Sequence, residues 1–137
     1  VKSFFDSSAF AKRYLAEQGS EKIDEICAQT SQLGISIICI PEVVSALARL
    51  RRENKLTSSQ FKQCKNALLA DASDAHVCLL TPAVIENSMH LLEHCKLRAM
   101  DALHLACALE WQPDLFISSD KEQLIAAKQF GLKIQIL

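Results

Sequence analysis

The order of apolar patterns along this 137-residue chain predicts an α/β fold, with a mostly parallel sheet covered by helices on both faces. Two observations carry that prediction. Short runs suited to strands alternate with segments of helical periodicity from end to end. Half of the residues are apolar, while glycine and proline number three each, so a real core is available and no linker or repeat divides it. At this length one domain over 1–137 is expected.

Val1–Phe5 reads as the first strand, running into Asp6-Ser7-Ser8 and a helix over Ala9–Leu15. Ser20 is placed as the cap of a second helix containing Ile23, Ile26 and Cys27. Leu33–Ile40 is apolar and rich in β-branched residues, as a strand buried on both faces requires. Pro41 suits the first turn of a helix through Arg52, with Val43, Val44, Leu47 and Leu50 on its apolar stripe. Thr57-Ser58-Ser59 opens a further helix through Phe61, Leu68 and Leu69. His76–Leu80 is strand-like, and Thr81-Pro82 starts a helix reaching about Cys95. Met100–Trp111 is a strongly apolar helix. Leu115–Ser118 forms a short strand, Asp120–Phe130 a helix stopped by Gly131, and Lys133–Leu137 the last strand.

Bulk properties narrow the function classes. No apolar stretch approaches membrane-spanning length, and Val1–Phe5 lacks the apolar region and cleavage site of a signal peptide, so the cytoplasm is the expected location. The chain opens on Val1 rather than Met, and a short preceding piece is expected. The six cysteines, at 27, 39, 64, 78, 95 and 107, form no CxxC pair and mostly sit in apolar runs; they read as free, buried hydrophobes. Fifteen basic against 16 acidic residues give a net charge of −1, which supplies no global field for a polyanion. Arg49, Arg51, Arg52, Lys55, Lys62 and Lys65 crowd the middle third, where a solvated helix face explains them.

In a parallel sheet ligands bind beyond the carboxyl ends of the strands, and four acids belong to that region. Asp6 ends the first strand, Glu42 follows Pro41, Asp120 follows a strand directly, and Asp101 stands among apolar neighbours. Each has a structural role open to it. Asp6 suits an N-cap, Glu42 the dipole of its helix, and Asp101 a cap for a helix starting at Ala102. Asp120 falls in the first turn behind a Ser119-x-x-Glu122 capping box. Gathered together, the four would repel one another unless a cation neutralised them. Their hard oxygen ligands suit Mg²⁺, or alternatively Mn²⁺.

The segments around these acids resemble PIN-domain ribonucleases, most closely VapC-type toxins of bacterial toxin–antitoxin pairs. They are Phe5-Asp6-Ser7-Ser8-Ala9-Phe10-Ala11-Lys12, the run from Pro41-Glu42-Val43-Val44 to Arg49, Leu97-Arg98-Ala99-Met100-Asp101-Ala102-Leu103-His104-Leu105-Ala106, and Phe116-Ile117-Ser118-Ser119-Asp120. The resemblance runs nearly end to end, and the Asp101 segment is its most specific part. It implies a PIN-like three-layer α/β/α sandwich with a sheet of four to five strands. It also implies that Asp6, Glu42, Asp101 and Asp120 form a metal-binding catalytic quartet, with Asp6 and Asp101 as the firmest ligands.

Ser7 and Ser118 would orient a ligand or water, and Lys12, Arg13 and Arg98 are candidate contacts to RNA backbone. Hydrolysis leaving a 5′-phosphate, a cognate antitoxin and a homodimer are further implications. One departure stands out: many relatives carry another Asp or Asn shortly after the fourth acid, where this chain has Lys121, Glu122 and Gln123. One metal site is therefore implied, and a second lacks that support. A non-catalytic PIN-like RNA-binding or assembly module, with the acids acting as caps, is the alternative.

Other chemistries find less in the sequence. His90 and His94 lie four apart with Cys95 adjacent, the start of a zinc site, but no second pair has zinc-finger spacing. His104 is read as a packed core histidine. Neither a G-x-S-x-G elbow nor a GxxxxGK[ST] phosphate loop occurs.

Overall fold

Phe4 and Phe5 show how the layers arise, because adjacent residues of a strand point to opposite faces of its sheet. A computed structural model describes residues 1–16 and 18–137. In it Phe4 joins a core with Leu91, Leu105, Phe116 and Leu124, whereas Phe5 joins one with Phe10, Ile35, Leu47 and Ile117. The strand β1 (Lys2–Phe5) pairs in parallel with β4 (Leu115–Ser118), setting Phe4 opposite Phe116 and Phe5 opposite Ile117. Both strands thus feed the same two cores. The Phe4 and Phe116 rings stack at 6.0 Å.

With β2 (Gln32–Ser36), β3 (His76–Cys78) and β5 (Ile134–Ile136), these strands make one all-parallel sheet in the order β3-β2-β1-β4-β5. Helices α1 (Ser7–Phe10), α2 (Ser20–Ala28), α3 (Cys39–Arg52) and α4 (Ser58–Asp74) supply one face's core. Helices α5 (Pro82–His94), α6 (Ala99–Trp111) and α7 (Lys121–Gln129) supply the other. The α/β/α sandwich read from the sequence is the fold. The strand order reverses between β1 and β4, the switch point at which such sheets open a crevice. Among the described residues no helix is long and apolar enough to cross a membrane.

Several local expectations are corrected. The second strand stops at Ser36 instead of Ile40, because the Ser36 hydroxyl accepts from Ile38 N–H (3.3 Å) and turns the chain. The apolar residues that follow already open α3, whose Cys39 is fully buried. The first helix begins at Ser7 rather than Ala9 and passes into a 3₁₀ turn at Ala11–Arg13. Gly19, with φ +95°, takes the capping position assigned to Ser20, whose hydroxyl instead donates to the Leu15 carbonyl at 2.7 Å. Asp101 caps nothing: α6 begins at Ala99, with Arg98 at its N-cap. The Ser119 box does not form either, since Asp120 is the cap and the buried Ser119 hydroxyl has no partner among the described residues.

Other assignments hold closely. Thr57 and Gln60 form a reciprocal capping box on α4, and Gly131 follows α7 with φ +92°. All six cysteines are free; Cys39, Cys78 and Cys107 are buried and the other three half-buried.

Candidate metal centre at the carboxyl end of the sheet

Asp6 leaves β1 at its carboxyl end and caps α1. Its Oδ1 accepts from Ala9 N–H at 2.9 Å, and Ser8 Oγ donates to both carboxylate oxygens at 2.8 and 2.9 Å. Only 3% of the residue is exposed. Burial therefore pushes this carboxyl above its ordinary range, against the lowering pull of the Ala9 and Ser8 bonds, the nearby His104 charge and Ser118.

The Ser118 hydroxyl, fully buried at the end of β4, lies 3.1 Å from Asp6 Oδ2 and 2.8 Å from Gln123 Oε1, either of which it can donate to. It accepts from Asp120 N–H at 2.9 Å. Gln123 is buried too, and its Nε2 donates to the Asp101 carbonyl at 3.1 Å. One hydrogen-bonded chain thus ties β1, β4, α7 and α6 together. Gln123, noted in the sequence only as a departure, is the side chain that closes it.

Glu42 arrives from the first turn of α3. Ser7 Oγ donates to its Oε1 at 2.7 Å, and His104 Nε2 lies 2.5 Å from the same oxygen. Both contacts fall on Oε1; Oε2 has no protein partner among the described residues. The His104 hydrogen bond holds Glu42 below its ordinary range, opposed by partial burial and assisted by Ser7 and by the imidazole's charge. His104 itself is 1% exposed, and its Nδ1 has no partner among the described residues. The sequence reading as a packed core residue is right about its burial but omits this contact. Its position three residues after Asp101, on the same helical face, was the available signal.

Asp101 stands in the first turn of α6 with its side chain 21% exposed. Burial raises its carboxyl, the Asp120 charge adds to that, and Arg98 and His104 oppose it. Arg98 Nε is 3.7 Å from Asp101 Oδ2 and the arginine side chain is 89% exposed. Asp120 caps α7 by accepting from Gln123 N–H at 3.1 Å. Lys96, Leu97, Arg98, Asp101, Asp120 and Glu122 line an open cleft of about 330 Å³. Lys12 and Arg13 turn elsewhere: Lys12 donates to the Gln18 carbonyl at 2.6 Å, and Arg13 lies 3.8 Å from Asp71 Oδ2. The middle basic residues are exposed on α3, α4 and the connecting turn.

A domain described as the PIN domain matches residues 3–129. The chain belongs to the PIN-domain family. A relative named Ribonuclease VapC45, from Mycobacterium tuberculosis, is 32% identical over 106 residues, covering 77% of this chain and 74% of its own. Among solved structures, this PIN domain is similar to a toxin-antitoxin complex from Klebsiella pneumoniae (TM-score 0.66, 21% identity, 88% of each chain). It is also similar to VapC20 of M. tuberculosis, described as a sarcin-ricin-loop-cleaving toxin (TM-score 0.70, 14% identity, 95% of each chain).

The donor chemistry of this PIN domain fits a divalent cation. Four carboxylates share one end of the sheet; burial raises the carboxyls of Asp6 and Asp101, and at Asp101 the charges of Asp120 and Glu42 add to it. Bonds of roughly 2.1 Å would bring any two Mg²⁺ ligands within about 4.2 Å of each other. No three of the four acids bring ligand oxygens within 4.8 Å of one another. As they stand, two carboxylates at most ligate directly and the rest act through water, which Mg²⁺ sites ordinarily retain.

Proposed function

We propose that this chain, as a single PIN-like domain over 1–137, is a divalent-metal-dependent endoribonuclease and the toxin of a toxin–antitoxin pair. The observation that carries this reading is the buried Asp6–Ser118–Gln123–Asp101 chain at the switch point. It holds acids from three elements at one place despite their repulsion. A helix cap explains Asp6 and Asp120; it explains neither Asp101 nor the Glu42–His104 contact.

Asp6 and Asp101 would hold Mg²⁺, or Mn²⁺ in its place, with Glu42 and Asp120 completing the site directly or through water. When bound, the ion makes water a stronger nucleophile at neutral pH and offsets charge on the phosphoryl oxygens. The protein's part is positional. Ser7 and His104 fix Glu42 through Oε1 and leave Oε2 to the cation or its water. Ser118 keeps Asp6 and the α7 terminus in register. Arg98, exposed at the lip of the cleft, meets the RNA phosphates first. The names of the relatives support RNA as substrate and an antitoxin partner; a cytoplasmic location and a homodimer belong to the same reading.

Purified protein with structured RNA and Mg²⁺ or Mn²⁺ should give discrete cuts that chelation and Asp101→Asn abolish. Retained RNA binding without cleavage, indifferent to Asp101→Asn, would instead favour a binding module, a reading to which the two capping acids lend support. Expression should arrest growth, and Asp6→Asn should relieve the arrest.

A further inference from the structure

The last turns of α5 carry three side chains that the carboxylate site does not use. His90, Glu93 and His94 are all exposed, and one ligand atom from each lies within 4.8 Å of the others. Helical spacing accounts for the grouping: residues three and four apart share a face. The two rings stand 4.2 Å apart between centroids, and His90 also meets the edge of Phe130 at 6.1 Å.

The tautomer of one histidine is set by the backbone. His94 Nδ1 lies 2.8 Å from the His90 carbonyl, which can only accept, so in the neutral ring the proton sits on Nδ1 and Nε2 is the nitrogen open to a ligand. A ring nitrogen donating to a backbone carbonyl is also the usual outer-shell arrangement of a metal-bound histidine. Glu93 has no hydrogen bond or ion pair with any described residue, so its carboxylate is available. Cys95, the neighbour that the sequence offered as a third ligand, is not in the group.

We propose that His90, Glu93 and His94 form a second metal site, selective for Zn²⁺ and its borderline neighbours rather than for Mg²⁺. Two imidazoles and one carboxylate are a zinc-type donor set, and with bonds of roughly 2.0–2.2 Å a small rotation of each side chain closes it. A fourth position stays open to water or to a donor from another molecule. The ion ties residues 90 and 94 across one helical turn and thereby holds the end of α5. Because the ligands are exposed, binding requires little desolvation. The site is independent of the ribonuclease reading.

The test uses untagged full-length protein with Mg²⁺ present throughout. Calorimetric titration with Zn²⁺ should show one site per chain at micromolar concentration. His90→Ala or His94→Ala should weaken it roughly tenfold or more, Glu93→Gln less, and Asp101→Asn not at all. Co²⁺ should give a spectrum without thiolate charge-transfer bands, and Zn²⁺ should raise the melting temperature of the wild type but not of the double histidine variant. The proposal is overturned if Zn²⁺ does not bind. It also fails if binding survives loss of both histidines, if Asp101→Asn removes it, or if the Co²⁺ spectrum reports cysteine.

Discussion

At the scale of single residues, the site opposes stability to function, and Asp6 shows the sign. Burial raises its folded pKa above the ordinary 3.8, so the native state holds the proton more tightly than the unfolded chain. Stability from this residue therefore falls as pH rises from the unfolded value through the folded one. Asn keeps an oxygen for Ala9 N–H and carries no charge. In chelator at neutral pH, Asp6→Asn should stabilise the protein by roughly 0.5–2 kcal/mol while abolishing cleavage. Denaturant titrations should show that gain shrinking to nothing as the pH drops below the unfolded value. Glu42 has the opposite sign: its depressed pKa contributes stability above the ordinary 4.5, lost as pH falls through the folded value. Removing the partner should reverse that. His104→Ala should lower cleavage roughly 10–100-fold and move the acidic limb of the pH profile upward. His104→Gln, which retains a donor, should recover part of both effects; a pH profile identical in wild type and His104→Ala would exclude the positioning role.

At the scale of elements, the sequence was most informative where one periodicity governed a whole segment. β4 has the bounds read from Leu115–Ser118, and the Thr57 and Thr81 caps open their helices as expected. It was least informative where apolar residues passed from one element to the next. Ile35, Ile38 and Ile40 look alike in a list, yet Ser36 turns the chain between them and Cys39 already belongs to a helix. No local pattern distinguishes an apolar strand residue from an apolar first helical turn. Gly34 is a second tertiary constraint of this kind. It sits in β2 as an ordinary strand residue, but a Cβ there would lie 2.4 Å from Cζ3 of Trp111, on α6. Trp111 is held by Phe4, by stacking on His76 and by the Lys2 ammonium, so it cannot easily withdraw. Gly34→Ala should destabilise the protein by roughly 1–3 kcal/mol. Trp111→Leu should relieve most of that penalty when the two changes are combined, and additive losses in a double-mutant cycle would show that the contact is not what excludes the side chain.

At the scale of the molecule, the sequence indicates where acids collect but not how their oxygens are committed. Asp6, Glu42, Asp101 and Asp120 could be assigned to the carboxyl end of the sheet because strands and helix starts are visible in the chain order. The Ser118–Gln123 bridge and the single shared oxygen of Glu42 arise only when α3, α6 and α7 meet around β1 and β4. That assembly leaves Asp101 facing the charges of Asp120 and Glu42, with Arg98 and His104 in partial opposition. A bound cation should therefore act on the whole fold as well as on the reaction. Mg²⁺ at about 100 times its dissociation constant should add about 2.7 kcal/mol to unfolding, and Mn²⁺ should act likewise. Chelation should return the melting temperature to its baseline. In Asp101→Asn the stabilisation should largely disappear, because a ligand and the repulsion relieved by the ion are lost together. Equal stabilisation of wild type and Asp101→Asn would place the ion elsewhere. A gain retained in Asp101→Asn but lost on removing His90 and His94 would assign it to the end of α5.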